Sequence, residues 1–236
     1  MFAILPREIL KYELLPLLDD ASLLCLQIAL HVRELPLELE ERLQCNIVKH
    51  GLRLTQYFDD RSLMNRKIMG IHAVGCNQVT VLEYVIRNGY VMDEHAGIHA
   101  AENGCLEALK CLYENGYTKW SGTVIHTASK MGHVDCLSYL LEIFDEYNQY
   151  IAYKAIEAGQ LECLDILRLS TKTYFDGMTY WEIITAYPTI MYNVAINHLQ
   201  LSSLIYLKEH TGYWNKDECL KITTEPEIIE WILSQE

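Results

Sequence analysis

From residue 65 onward the hydrophobic positions of the chain recur as a unit. Leu82, Leu109, Leu137, Leu164 and Leu204 stand at intervals of 27, 28, 27 and 40, and Ile229 follows 25 later. Apolar residues flank each leucine three positions before (Val79, Leu106, Val134, Leu161, Leu201) and three after (Val85, Leu112, Leu140, Leu167, Leu207). These positions lie on one stripe of a helix, so each unit holds a helix of about ten residues facing a core. Nine residues before each leucine stands an alanine: Ala73, Ala100, Ala128, Ala155 and Ala195. Five before it come Asn77, Gly104, Gly132 and Gly159, residue types that accept a left-handed backbone and close a preceding helix; Leu199 breaks this in the fifth unit. The predicted unit is a first helix, a tight turn and a second helix. Alanine suits a first helix that passes close to its neighbours, since larger side chains would force the axes beyond the usual separation of about 8–10 Å. One pair of short helices cannot bury its own apolar face, so the pairs must stack into a solenoid.

The segment Val124-Ile125-His126-Thr127-Ala128-Ser129-Lys130-Met131-Gly132-His133-Val134-Asp135-Cys136-Leu137 resembles the ankyrin signature, in which a Thr-Pro-Leu-His-like start leads to alanine, Gly-His and the second helix. The run from Ala100 to Leu109, closed by Glu114-Asn115-Gly116-Tyr117, looks like the same repeat. Asn88-Gly89-Tyr90 and Gly212-Tyr213-Trp214 echo that ending. The usual ankyrin period is about 33 residues, so 27–28 implies fingers trimmed to short turns. Short repeats ending in Gly-Tyr also resemble the ankyrin arrays of giant viruses of amoebae, which would place the protein in a host cytoplasm.

The first 35 residues follow another pattern. Leu5-Pro6-Arg7-Glu8-Ile9-Leu10, then Leu14, Leu15, Leu17 and Leu18, a break at Asp19-Asp20, and Leu23, Leu24 and Leu26 make two or three short amphipathic helices. Pro6 suits a first helical turn and Asp20 a helix start. The order Leu-Pro-x-Glu-Ile, a leucine run, an Asp-Asp turn and Ser-Leu-Leu-x-Leu resembles the N-terminal half of an F-box, although the Cys-Arg-x-Trp portion of many F-boxes is absent after His31. That resemblance implies docking on a Skp-type adaptor of cullin–RING ubiquitin ligases through Leu5, Pro6, Ile9, Leu14, Leu18 and Leu23. The other reading of the same leucines is a helical cap that shields the first repeat.

Residues 36–64 read as a helical connector: Glu38, Glu40, Glu41 and Arg42 form a charged face, Lys49-His50-Gly51 a helix end, and Phe58-Asp59-Asp60-Arg61 a loop. The long interval before Leu204 leaves about a dozen extra residues near 172–188, relative to the repeat period. With Tyr174, Phe175, Tyr180 and Trp181, they are either a loop packed on the solenoid or a partner-binding insertion. The last unit, with Pro226 where leucine is expected and Ile229, Ile232 and Leu233 after it, reads as a degenerate capping repeat.

Composition changes the picture by exclusion. Lys+Arg 19 against Asp+Glu 32 gives a net charge of −13, which disfavours nucleic acid and anionic membrane as partners and favours a basic or neutral client. No apolar run reaches the roughly 20 residues a spanning helix needs, and the start has no secretory leader, so a cytoplasmic location is expected. The 8 cysteines include no Cys-x-x-Cys, and Cys111, Cys136 and Cys163 fall at helical core spacing, so buried reduced thiols are expected. His95 and His99 are four apart but lack the intervening glutamate of a zinc protease, and His126 falls at the ankyrin helix start, where it would bond within the turn. Asp19-Asp20 and Asp59-Asp60 read as caps at turns. No catalytic residue, metal site or cofactor is predicted.

The expected protein is all-α: an F-box-like helical segment over 1–35, a connector over 36–64 and an ankyrin-like helix-turn-helix solenoid over 65–236. It is a monomer acting through surfaces, a substrate-recruiting adaptor of an SCF-type ligase or a scaffold or inhibitor without a ubiquitin link. The client face is assigned to non-core positions of first helices, namely His99, Glu102, Asn103, Thr127, Lys130, Met131, Lys154 and Glu157.

Overall fold

A computed structural model describes residues 45, 48–49, 51–59, 65–118, 120, 122–144 and 149–235. The F-box-like segment, with Leu5, Pro6, Ile9, Leu14, Leu18 and Leu23, and most of the connector lie outside these described residues. Among the described residues the protein is helical without strands; one isolated antiparallel bridge joins Thr173 and Thr179. None of their helices is long and apolar enough to cross a membrane. The chain divides into two compact units, one ending at Ala100 but including Glu107–Tyr117, the other made of Ala101–Leu106 and the chain from Thr118.

In the second unit the helices pair as the periodicity predicts. Thr123–Met131 and Val134–Ile143 form one pair, Tyr150–Ala158 and Leu161–Leu169 the next, and Pro188–Asn197 and Leu201–Thr211 the third. First helices pack on first helices and second on second: Thr123–Met131 lies against Tyr150–Ala158, which lies against Pro188–Asn197, while Leu161–Leu169 sits between Val134–Ile143 and Leu201–Thr211. The result is an all-α stack of ankyrin-like repeats. In the first unit Arg66–Gly75 pairs with Val79–Arg87, and Leu52–Asp59 packs on the latter.

All five anchor leucines, their +3 partners and the five alanines are fully buried. The −3 residues Val79, Leu106, Val134, Leu161 and Leu201 are only half-buried, because each is the first residue of its helix and lies at the rim of the stripe. The alanines also have a backbone task. Gln78, His133, Gln160 and Gln200 donate their backbone N–H to the carbonyls of Ala73, Ala128, Ala155 and Ala195 at 2.8–3.0 Å. Asn77, Gly132, Gly159 and Leu199, one residue earlier, donate to the carbonyl one residue after each alanine. This double bond pattern closes the helix around a left-handed residue, and it explains why alanine and the turn residue keep one spacing. Leu199, expected to break the pattern, adopts the conformation anyway at φ 57, with its side chain 56% exposed. Packing of the surrounding helices overrides the local cost of a left-handed leucine, about 1–2 kcal/mol.

The extra residues of the long interval are packed in part: Tyr180 and Ile184 are buried, whereas Thr173, Asp176, Met178 and Tyr187 are exposed. Thr179 and Glu182 form a reciprocal cap that starts helix Tyr180–Thr185, and this helix buries Tyr180 and Ile184 against Leu161–Leu169 and Pro188–Asn197. Lys172 Nζ donates to the carbonyls of Leu141 and Phe144 at 2.9 Å each, closing the end of Val134–Ile143, which has no glycine to close it. In the last unit Pro226 opens helix Pro226–Ser234, but Ile228 and Ile232 form its buried pair, while Ile229 is half-buried and Leu233 is 57% exposed. The stripe there is displaced by one residue from the predicted Ile229 anchor. Residues i and i+4 on this helix meet the core, so the interval from Leu204 to the buried position is 24 rather than 25.

Candidate functional site

The turns of the second unit fix where side chains of successive repeats meet. Gly104 and Gly159 sit at φ 67 and 71, and a side chain at either would have to displace a neighbour. A Cβ on Gly104 would stand 2.6 Å from His133 Nδ1, and one on Gly159 2.6 Å from Gln200 Oε1. Gln160 fills the same space at Gly132. Each turn therefore offers a notch filled by the residue that follows the next repeat's turn residue. His133 uses the position to place Nε2 3.0 Å from the Glu102 carbonyl at the end of its helix. Within the first unit Asn77 does related work: its Oδ1 accepts from the backbone N–H of Ala108 at 3.0 Å, near the start of Leu106–Glu114. Buried Ser129 and Ser203 add donations to the carbonyls of Ile151 and Ile156 at 2.7 and 3.1 Å.

On this frame the C-terminal ends of first helices carry exposed groups at recurring positions. Seven residues before their anchor leucines stand Glu102, Lys130, Glu157 and Asn197. Glu102, Asn103, Lys130 and Met131 are exposed, and so are Asn197, His198 and Leu199. Ion pairs join Lys130, Lys154 and Glu157: Glu157 Oε2 lies 2.5 Å from Lys154 Nζ, and its Oε1 3.5 Å from Lys130 Nζ. The hydrogen bond from Lys154 holds the Glu157 carboxyl below its ordinary range against a smaller opposing effect of burial, and the charges of Lys154, Lys130 and His198 act in the same direction. Thr127 is half-buried and donates back to the Thr123 carbonyl at 2.9 Å. His99 is half-buried in helix Ala96–Glu102, in the first unit. Thus Lys130, Lys154 and Glu157 meet, whereas Thr127 bonds within its own helix.

Other polar features differ from the sequence expectation. Asp59, expected in a loop as a turn cap, ends helix Leu52–Asp59 and is 1% exposed. It accepts from Arg66 Nε at 2.7 Å, Tyr84 OH at 2.8 Å and Tyr90 OH at 2.6 Å. The Gly-Tyr ending of the repeat thus delivers a tyrosine to a buried carboxylate, a pairing that no local pattern announces. A second cluster in the other unit sets Asp165 Oδ1 2.7 Å from Tyr206 OH and 2.8 Å from Arg168 Nη2. Tyr206, mostly buried, has its hydroxyl pushed up to about 12, first by burial and then by the Asp165 hydrogen bond. His126 lies within helix Thr123–Met131, its ring edge-on to Tyr150 at 6.0 Å, rather than at a helix start. His95 is exposed, with Nδ1 3.2 Å from Asp93 Oδ1. Among the described residues no group of three or more His, Cys, Asp or Glu side chains is placed to hold a metal ion. Cys111, Cys136 and Cys163 are buried, as their spacing predicts.

A family model for ankyrin repeats in three copies matches residues 97–174, the span of the units anchored on Leu109, Leu137 and Leu164. Comparison with curated proteins returns no match. Among solved structures the chain is similar to the human ASB11 ankyrin repeat domain, at 16% identity over 70% of this chain and 96% of that one, with a TM-score of 0.43.

Proposed function

We propose that this protein is a non-catalytic recognition subunit that holds a protein client on the repeats and, through its N-terminal leucine-rich segment, docks on a Skp-type adaptor of an SCF-type ubiquitin ligase. Ankyrin repeats serve protein–protein interaction, and the observation that supports the client half of the reading is the row of exposed helix ends. Glu102, Asn103, Lys130 and Met131 come from successive repeats of one stack, with mixed charge and an apolar Met131 that is 48% exposed, and the half-buried Glu157 of the next repeat joins them through Lys130. Such a surface offers a protein both ion pairs and contact area. Thr127 and Lys154 complete the proposed face within the second unit. The net charge of −13 favours a basic client. The adaptor half rests on the order of residues from Leu5 to Leu26.

The decisive experiment is co-purification of the full chain, and of a Leu5→Asp, Ile9→Asp double variant, with a purified Skp-type adaptor. Circular dichroism checks that both are folded. The proposal expects the intact chain to bind and the folded variant to lose binding. No binding by the intact chain overturns the ligase role and leaves a scaffold or inhibitor whose first 35 residues cap the repeats.

A further inference from the structure

The cysteines of the described residues fall into two kinds. Cys105, Cys111, Cys136, Cys163 and Cys219 are buried, and burial pushes the thiols of Cys163 and Cys219 up to about 11, which suppresses the reactive thiolate. Cys45 and Cys76 are partly exposed, and their Sγ atoms stand 3.5 Å apart although 31 positions separate them. Cys76 Sγ also lies 4.0 Å from the Cys45 carbonyl oxygen. Both belong to the first unit: Cys76 directly follows helix Arg66–Gly75, and Cys45 precedes helix Leu52–Asp59. Exposure gives an oxidant access, and an adjacent second sulfur resolves the first product before it oxidises further.

From this geometry we infer that Cys45 and Cys76 form a reversible oxidation site, converted by a peroxide into an intrachain disulfide. The thiolate of one cysteine attacks a peroxide oxygen; the O–O bond breaks, and sulfenic acid and hydroxide result. The hydroxide takes the proton that the thiol released and becomes water. The second cysteine, as thiolate, attacks the sulfenic sulfur, forms the S–S bond and expels hydroxide, which takes that cysteine's proton and leaves as a second water. In sum, two thiols and one hydrogen peroxide give one disulfide and two waters, with each sulfur losing one electron and the peroxide gaining two. A small thiol such as glutathione restores the pair by two exchange steps and leaves as its own disulfide. Bond formation brings the sulfurs from 3.5 Å to about 2 Å. The bond would tie the chain ahead of Leu52–Asp59 to the turn of the first helix pair, enclosing the Asp59–Arg66 ion pair in its loop.

The test uses the reduced full chain. It is treated with equimolar hydrogen peroxide, alkylated with iodoacetamide and digested with trypsin. Cleavage after Arg42, Lys49, Lys67 and Arg87 gives peptides 43–49 and 68–87, each with one cysteine. The inference expects these two peptides linked, lighter by two hydrogens than their sum, and released by dithiothreitol. It also expects oxidation to raise the thermal midpoint of the wild type and not of Cys45→Ser. Recovery of both peptides singly alkylated at a dose that oxidises glutathione overturns it. So does a link to Cys25 or to another chain in place of this one. Should Cys45→Ser fail to fold, the wild-type peptide map decides alone.

Discussion

Asp59→Ala removes one acceptor from three donors. Tyr84 and Tyr90 hydroxyls at 2.8 and 2.6 Å bond a charged group, an interaction of about 1.5–3 kcal/mol each. Both tyrosines are half-buried and regain water in the variant, so the lower end of that range applies. The Arg66 guanidinium is 53% exposed, so solvent screening leaves its ion pair a small addition. The expected loss is about 3–4 kcal/mol, a large part of the 5–15 kcal/mol of a typical domain. Asp59→Asn keeps the shape and an acceptor oxygen and should cost about half as much. Urea unfolding, followed by far-UV circular dichroism, measures both. Burial alone would raise the Asp59 carboxyl, but hydrogen bonds from Tyr90, Arg66 and Tyr84 outweigh it and hold the group below its ordinary 3.8. The unfolded chain therefore takes up the proton first. The stability that Asp59 contributes is complete above the unfolded value, about 3.9, and is lost as pH falls through the folded one. Asp59→Asn has no such limb, so the gap between wild type and variant should narrow below about pH 4. A loss under about 1 kcal/mol for Asp59→Ala, or parallel acid limbs, refutes the assignment of Asp59 as the hub of its unit.

Three further substitutions probe other parts of the fold. Leu109→Ala, at a fully buried anchor, should cost about 2–5 kcal/mol by urea unfolding; a loss within error would break the repeat register. Gly159→Ala combines a left-handed alanine, costing about 1–2 kcal/mol, with crowding of Gln200. Adding Gln200→Ala should recover only the crowding, and full recovery would show that the backbone at φ 71 carries no cost. Lys130→Glu should shift the thermal midpoint by no more than about 4 °C, since a pair whose lysine is half-exposed contributes about 0–1 kcal/mol; collapse of the fold would remove Lys130 from the surface.

The frame was legible because stacked repeats print their core as a period. Leucines, alanines and turn residues each occupy one depth in the stack, so one substitution pattern repeats along the chain. Leu199 was misread because its conformation is imposed by helices on either side, whatever its own preference. Ile229 was misread because the final helix meets the core on one face only, which frees the stripe to slip by a residue. Asp59 was invisible for a different reason. Its partners lie seven, 25 and 31 residues away, and no helical or strand period links such positions. Among the surface residues, spacing singled out Lys130, Lys154 and Glu157 individually but gave no sign that one carboxylate would gather both lysines.

The notches at Gly104, Gly132 and Gly159 give the array a direction. Each has as its nearest neighbour a side chain from the repeat that follows it, His133, Gln160 or Gln200. At these three turns the repeats are tongue-and-groove pieces, the glycine of one making the space that the next one fills. At Leu199 the turn residue carries a side chain of its own, and the helix Lys216–Ile222 of the last unit packs on Pro188–Asn197 beyond it, so this junction is built without a glycine notch. An engineer wishing to lengthen the stack would duplicate a unit that ends in such a glycine, upstream of Leu199, where the joint carries its own register.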